Sequence, residues 1–310
     1  MNTLKPFNQT KLFGLNKYIL ELIKLYEISS LPNKILLSGD KGLGKSTLAF
    51  HFINYVLSKN EEFEYDINKF EINSLNHSYK TVINESNPNL IIIDVAHEKT
   101  NIDIKQIREL IQNLNKSSLN NKPRFVLIDN IEFLNTNSIN ALLKILEEPN
   151  FNVQFILINN NKKILPTLLS RCINFRISLS HNESLSICNQ LLDGKLKELI
   201  NDDLINYYLT PGNLYNLFIF GKLNQHDLID YDLKEFLKLV IKKNYYKNNF
   251  LFKYIIFELI ECYFRKINTT ISSNIYDKYT YFLKNISNTK KFNLDEEILF
   301  DEFNDEILNA

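Results

Sequence analysis

The chain has 310 residues, enough for two domains or three small ones with buried cores. Its 36 Lys and Arg balance 36 Asp and Glu, with 45% hydrophobic and 23% charged residues, which excludes a disordered polyelectrolyte and any global basic field for gripping nucleic acid. Three separated cysteines, Cys172, Cys188 and Cys262, exclude a disulfide scaffold and a cysteine-based zinc module and fit a reducing cytoplasm.

In chain order, residues 1–11 are polar and lack the apolar core of a secretory signal. The richest apolar run, 250–264, is broken by Lys253, Glu258 and Glu261, so a soluble, cytoplasmic protein with no membrane partner is expected. β-Rich runs occur at 35–37, 90–93, 125–128, 155–158 and 173–177, separated by segments of helical period. Such alternation predicts a mostly parallel sheet with helices on its faces. Ile104, Ile107, Ile111 and Leu114 form one stripe behind Asp103, with Gln106 placed to complete a cap. A second helix is predicted to open near Asn137 or Ser138, carry Ile139, Leu142, Leu143 and Leu146 on one face, and stop at Pro149. The last proline is Pro211 and the last glycine Gly221, so 222–310 reads as packed helices. The expected division is an α/β domain at 1–178, a small helical segment at 179–221 and a helical domain at 222–310.

The densest chemical signal is Gly39-Asp40-Lys41-Gly42-Leu43-Gly44-Lys45-Ser46, which satisfies G-x-x-x-x-G-K-[ST] in full. A strand (Ile35, Leu36, Leu37) precedes it and a helical run beginning at Thr47 follows. The loop amides and the helix N-terminus therefore aim at phosphates. Lys45 would reach the terminal phosphates and Ser46 would ligate Mg²⁺, which makes ATP and Mg²⁺ the expected ligands. The run 125–128 ends in Asp129, the usual place of an acid that holds Mg²⁺ through water. Many such ATPases carry a Glu next, to position the attacking water; here it is Asn130, whose amide can hold a water but cannot take its proton. Glu132 lies beyond the strand end.

Residues 138–149, Ser-Ile-Asn-Ala-Leu-Leu-Lys-Ile-Leu-Glu-Glu-Pro, resemble the NALLKxLEEP segment of clamp-loader AAA+ subunits, and 165–172, Leu-Pro-Thr-Leu-Leu-Ser-Arg-Cys, resemble their LPTxxSRC segment. Asn87-Pro88-Asn89-Leu90 and 104–114 are similar to the intervening portion of delta-prime-type subunits of bacterial DNA polymerase III, and Phe13-Gly14 falls where the family has its adenine-side motif. The resemblance implies an AAA+ P-loop core with a five-stranded parallel sheet, a small helical lid at 179–221 and an all-α collar at 222–310. It also implies a place in the pentameric clamp loader, which uses ATP to open the sliding clamp and set it on primer–template DNA. The partners implied are the motor and delta subunits, the clamp and the DNA. In that family the arginine of Ser-Arg-Cys acts in trans on ATP held by the neighbouring subunit, and Arg171 matches it. A planar, always-charged guanidinium suits that work, and arginine is used sparingly here: five against thirty-one lysines. Asn159 and Asn160 fall where related ATPases place a polar sensor of the γ-phosphate; the sequence does not choose between them.

The departures narrow the subunit. Motor subunits and many delta-prime relatives carry a four-cysteine zinc module where residues 47–124 have no cysteine, so no zinc is expected and that region must hold by packing alone. Motor subunits have an acidic pair at Asp129-Asn130 and an arginine in the helix after the turn at Gly212-Asn213-Leu214-Tyr215. The expectation is a delta-prime-type subunit that binds ATP and turns it over slowly or not at all. Its rivals are the hydrolysing motor, a stand-alone P-loop kinase or helicase-like ATPase, and a scaffold with a vestigial loop.

Other features are weaker. His51, His77, His97, His181 and His226 have no metal-ligand spacing. Lys242, Lys243 and Lys247 with Tyr245, Tyr246 and Phe250 read either as a DNA-backbone contact or as an amphipathic helix end with snorkelling lysines. After Lys291 come seven acids and no base, with Leu294, Ile298 and Phe303 expected to dock on the collar or on a partner.

Overall fold

In the computed structural model each β-rich run is a strand: β1 (Lys34–Ser38), β2 (Leu90–Ile93), β3 (Arg124–Ile128), β4 (Val153–Asn159) and β5 (Ile173–Arg176). The structure describes residues 5–96, 99–116, 120–147, 152–205, 209–248, 250–267, 273–292, 294 and 296–309. All the strand pairs are parallel, and the order across the sheet is β2-β3-β4-β1-β5. Successive side chains leave a strand on opposite faces, and the core obeys that period. Ile35, Leu37, Phe125, Leu127, Ile156 and Ile158 pack with Ile19 and Leu22 of α1 (Asn16–Glu27) and with Leu48 and Phe52 of α2 (Lys45–Leu57). Leu36, Val126, Ile128, Phe155 and Leu157 pack on the other face with Ile107 and Leu110 of α4 (Ile104–Leu114) and with Leu142 and Leu146 of α5 (Thr136–Glu147). A short α3 (His77–Ile83) precedes β2, and the single-turn α6 (Pro166–Leu169) precedes β5. This is the expected α/β core with a five-stranded parallel sheet, and the glycine-rich loop stands at the carboxyl end of β1 beside β4 and β5.

Local signals account for the helix ends. Asp103 and Gln106 form a reciprocal capping box, each backbone N–H donating to the other's side chain at 3.1 Å. α5 begins at Thr136, one turn-position earlier than expected, because the Asn135 carboxamide accepts from Ser138 N at 2.9 Å. Arg124 ends α4: its guanidinium donates to the carbonyls of Asn113, Leu114 and Lys116. Glu148, Pro149 and His97 lie outside the described residues.

The stretch between α2 and β2 does not hold by packing alone, as the sequence suggested; buried polar side chains pin it. Fully buried Asn76 accepts from Tyr79 N at 2.7 Å and from Asn54 Nδ2 at 3.2 Å, and donates to Phe63 O at 2.6 Å. Glu61 accepts from Ser78 N, Ser78 Oγ and Lys122 Nζ. A loop folded onto the core without crosslinks still needs partners for its backbone groups, and these carboxamide and carboxylate contacts supply them. Among the described residues no group of three His, Cys, Asp or Glu is placed to hold a metal ion.

His51, fully buried in α2, joins this region to the N-terminal segment: its Nε2–H donates to Gln9 O at 3.0 Å, leaving Nδ1 to accept from the Tyr65 hydroxyl at 3.1 Å. Burial pushes its pKa down to about 4, against a smaller opposing pull from the Gln9 carbonyl. The unfolded chain therefore takes up the His51 proton first, and stability falls as pH drops from 6.5 towards 4, by roughly 3 kcal/mol. Urea unfolding at pH 7 and pH 4.5 checks this: the stability gap between wild type and His51→Leu is expected to shrink or reverse at the lower pH.

The chain divides into two units, 1–180 and 181–310. The second contains α7 (His181–Leu191), α8 (Pro211–Leu223), α9 (Leu233–Lys242), α10 (Tyr245–Asn248), α11 (Phe250–Ile267), α12 (Ser273–Phe292) and α13 (Glu296–Phe303). One core runs through it, with Cys188, Leu204, Leu214, Leu217 and Phe220 joined to Phe236, Leu237, Ile260, Phe264, Phe300 and Phe303. The division expected at 221/222 falls inside α8. Gly221 is a point of close packing and not a break, since a Cβ there would lie 2.8 Å from Leu228 Cγ and 3.0 Å from His226 O. Likewise Thr210-Pro211 starts α8, with Thr210 Oγ1 accepting from Asn213 N.

In the basic and aromatic cluster the two tyrosines pack, Tyr246 buried against Phe300 and Tyr245 against His226, while Lys242, Lys243 and Lys247 are exposed and Lys247 pairs with Glu297 at the surface. Of the three expected docking positions, Phe303 packs in the helical core with Leu299 and Phe300 as the buried face of α13, whereas Leu294 and Ile298 are not covered by the collar, being 51% and 71% exposed. Leu294 precedes the helix, so the stripe read from it was out of phase. No helix among the described residues is long and apolar enough to cross a membrane.

Candidate functional site

The carboxyl ends of β1, β4, β3 and β2 bring one loop each to the same edge of the sheet, where open α/β sheets bind ligands. After β1 the chain turns through Gly39, Asp40, Lys41, Gly42 and Leu43 to Gly44, the left-handed N-cap of α2 at φ 85°. Only glycine fits two of these places. A Cβ at Gly39 (φ 149°) would collide with the Ile177 carbonyl, which lies alongside because Ile177 N donates to Ser38 O at 2.7 Å. At Gly44 the positive φ itself disfavours any larger residue.

Lys45 opens α2 and is 3% exposed. Its amine donates to Gly39 O at 2.8 Å and Asp40 O at 2.7 Å, both uncharged partners. Burial draws its pKa down to about 8, the effect of Asp129 and other nearby acids only partly offsetting it. Ser46 Oγ donates to the Asp129 carboxylate, and Asn130 N donates to the other oxygen at 2.8 Å. Burial holds the Asp129 pKa up at about 6; Ser46 works against that shift and Asp94 adds to it. Thr47 follows in the first turn of α2. The loop thus fits a polyphosphate and a divalent cation: a buried ammonium whose contacts carry no counter-charge, and a buried carboxylate beside a hydroxyl, are the groups those ligands would neutralise.

The two asparagines after β4 separate. Asn159 is buried and turned inward, donating to Lys162 O at 2.9 Å and accepting from Lys162 N at 3.2 Å. Asn160 instead reaches the neighbouring strand end, donating to Asn130 Oδ1 at 2.7 Å and Glu132 Oε1 at 2.9 Å. Asn130, in the left-handed region at φ 54°, passes its own amide N–H to Asp94 Oδ1 at 2.7 Å. Glu132 is therefore in the cluster after all. Asp94 was missed; its signal was the same strand-then-Asp pattern as β3, but only the strand order brings it beside Asn130.

Arg171 lies apart from this cluster in the sequence of contacts. It follows α6, pairs with Glu147 at the end of α5, and donates to Thr167 O at 2.7 Å. Within this chain the guanidinium is thus held in cis.

The family described as DNA polymerase III, delta subunit, matches residues 14–181, a span containing the phosphate loop, Asp129 and Arg171. The chain belongs to that family. Within the DNA polymerase III clamp-loader family it is 29% identical to subunit gamma of Buchnera aphidicola subsp. Schizaphis graminum over 187 residues, 58% of this chain and 48% of that one. It is 26% identical to subunit delta' of the same organism over 293 residues, 86% of this chain and 83% of the other. Subunit tau of Escherichia coli matches at 26% over 202 residues, 29% of its length. The chain thus spans about half the length of the gamma relative. Among solved structures, a gamma-subunit-related protein of Thermotoga maritima has a TM-score of 0.47 at 20% identity, covering 90% of this chain and 95% of that one.

Proposed function

We propose that the chain is a delta-prime-type clamp-loader subunit that completes a neighbour's ATP site with Arg171 and binds, but scarcely hydrolyses, ATP at its own. The carrying observation is the strand end after Asp129. There the residue next to Asp129 is an amide, committed to Asp94 and Asn160, and an amide cannot take a proton from water. The match over most of the delta-prime relative's length supports the same reading.

At its own site the amides of residues 39–46 cradle the phosphates of ATP, Lys45 neutralises the terminal ones, and Thr47 closes the first turn of α2 beneath them. Mg²⁺, when bound, neutralises phosphate charge; Ser46 and Asp129 are the residues that would hold it. Asn160 is the sensor, because it faces Asn130 and Glu132, whereas Asn159 is spent on its own loop. The helical unit 181–310 supplies lid and collar together in a ring with motor and delta subunits, acting in the cytoplasm on the sliding clamp and primer–template DNA. No zinc takes part.

The hydrolysing motor is the second reading, favoured by the higher identity to the gamma relative. ATP turnover separates the two. The purified chain is expected to show near-background turnover alone, and a mixture with motor and delta subunits, clamp and primed DNA is expected to be active. Brisk turnover by the chain alone, abolished by Lys45→Ala, would establish the motor instead.

A further inference from the structure

Arg171 occupies the turn between α6 and β5, in a stretch where apolar side chains face outward: Leu165 and Leu169 are each 42% exposed and Ile173 is 55% exposed. Its own hydrogen bonding is lopsided. Nη1 donates to Thr167 O and Nη2 is ion-paired with Glu147, but Nε is buried without a partner among the described residues. A charged group with one donor shut away from both water and protein is incompletely satisfied where it rests. What keeps it there is the Glu147 carboxylate, the anionic partner in its contacts.

That pair is built to open. Its side chains are 29% and 53% exposed, so solvent and salt screen the attraction, and breaking it costs little. A phosphate oxyanion brought to the same guanidinium carries more charge than one carboxylate and accepts from its fork in a bidentate way. Burial of Leu165, Leu169 and Ile173 against a docked subunit would exclude water and strengthen that competing contact further.

We propose that Glu147 is a positioning residue for Arg171: it holds and neutralises the guanidinium within this chain until an oxyanion presented by a neighbouring subunit takes its place. The inference rests on the reading of Arg171 as the arginine supplied in trans. Glu147 thereby sets how readily the chain engages its neighbour, not how fast the engaged site reacts. It also keeps an uncompensated cation off the docking face of the free subunit.

The test titrates this chain into a fixed amount of motor and delta subunits with clamp, primed DNA and ATP, reading half-saturating concentration and maximal turnover separately. Glu147→Gln is expected to lower the half-saturating concentration about two- to fivefold, the size of an exposed ion pair, with maximal turnover unchanged. Glu147→Asp is expected to stay near wild type. The effect of Glu147→Gln should vanish in an Arg171→Ala background and shrink at high salt. If Arg171→Ala cripples the mixture but Glu147→Gln leaves half-saturation unmoved, the trans arginine stands and the role of Glu147 is overturned. A lower maximal turnover for Glu147→Gln, or an effect that persists without Arg171, overturns it too. If Arg171→Ala leaves turnover intact, the trans reading fails and this proposal falls with it. Thermal unfolding of each variant, expected at the wild-type midpoint because Glu147 is exposed at a helix end, shows that the comparison is between folded chains.

Discussion

Arg171→Ala is expected to lower ATP turnover at the neighbouring site by about 10³-fold or more, the effect of removing an arginine supplied across an interface. The chemistry sets the size. As the phosphoryl group transfers, charge spreads over its equatorial oxygens, and a guanidinium delivered into a water-excluded interface stabilises that charge without reorganising. Lysine should not substitute: Arg171→Lys keeps the charge but loses the planar fork, so most of the defect is expected to remain. Single-turnover hydrolysis in the reconstituted mixture is the measurement, because steady-state rates average over sites that Arg171 does not adjoin. Near-normal single-turnover rates with Arg171→Ala would remove the basis for the trans reading.

Lys45→Ala is expected to abolish measurable ATP binding by the isolated chain while leaving the trans effect of Arg171 largely intact. Truncating one partner of a buried, hydrogen-bonded charge pair costs about 2–5 kcal/mol, or roughly 30-fold to several thousandfold in affinity. The wild-type site carries a pH signature as well. Burial draws the free Lys45 amine down to about 8, and phosphates would raise it again, so binding takes up protons near pH 8. Affinity should therefore weaken above pH 8, by up to about tenfold per pH unit, and be indifferent to this group well below it. Asp129 acts in the opposite range: held up at about 6 by burial, it must lose its proton to receive Mg²⁺, so Mg²⁺-dependent affinity should fall as pH drops below 6. Calorimetry at pH 8 in two buffers of different ionisation enthalpy measures the proton uptake directly. Equal apparent enthalpies in the two buffers would mean that Lys45 does not meet the phosphates.

Much of the site was legible in the chain because it is local. The phosphate loop, the strand before it and the helix after it are contiguous, and the glycines at 39 and 44 stand where the backbone leaves room for nothing else. The capping box at Asp103 and Gln106 is equally local and appears as read. Features that failed to show were long-range. Nothing in the spacing of 159 and 160 tells which carboxamide turns outward; that depends on β3 lying beside β4, which gives Asn160 the partners Asn130 and Glu132. Asp94 enters the cluster only because β2 lies beside β3. The pairing of Arg171 with Glu147 crosses 24 positions of sequence.

Glycine was also the source of the clearest misreading. Read along the chain, Gly221 marks an end; in the folded helical unit it marks where the 226–228 turn presses against α8. The cysteine-free segment before β2 was misread for a related reason, since buried asparagines look like polar filler until their partners are known.

The sequence by itself determined the alternation of strands and helices, the phosphate loop, the amide at position 130 and the availability of an arginine at 171, because these follow from residue type and short-range period. Only the tertiary structure decided which polar side chains meet at the sheet edge, what pins the segment between α2 and β2, that one core joins the described helices of the second unit, and that Arg171 rests on Glu147. Those are contacts between residues distant in sequence, and strand order and packing create them; no local pattern encodes them.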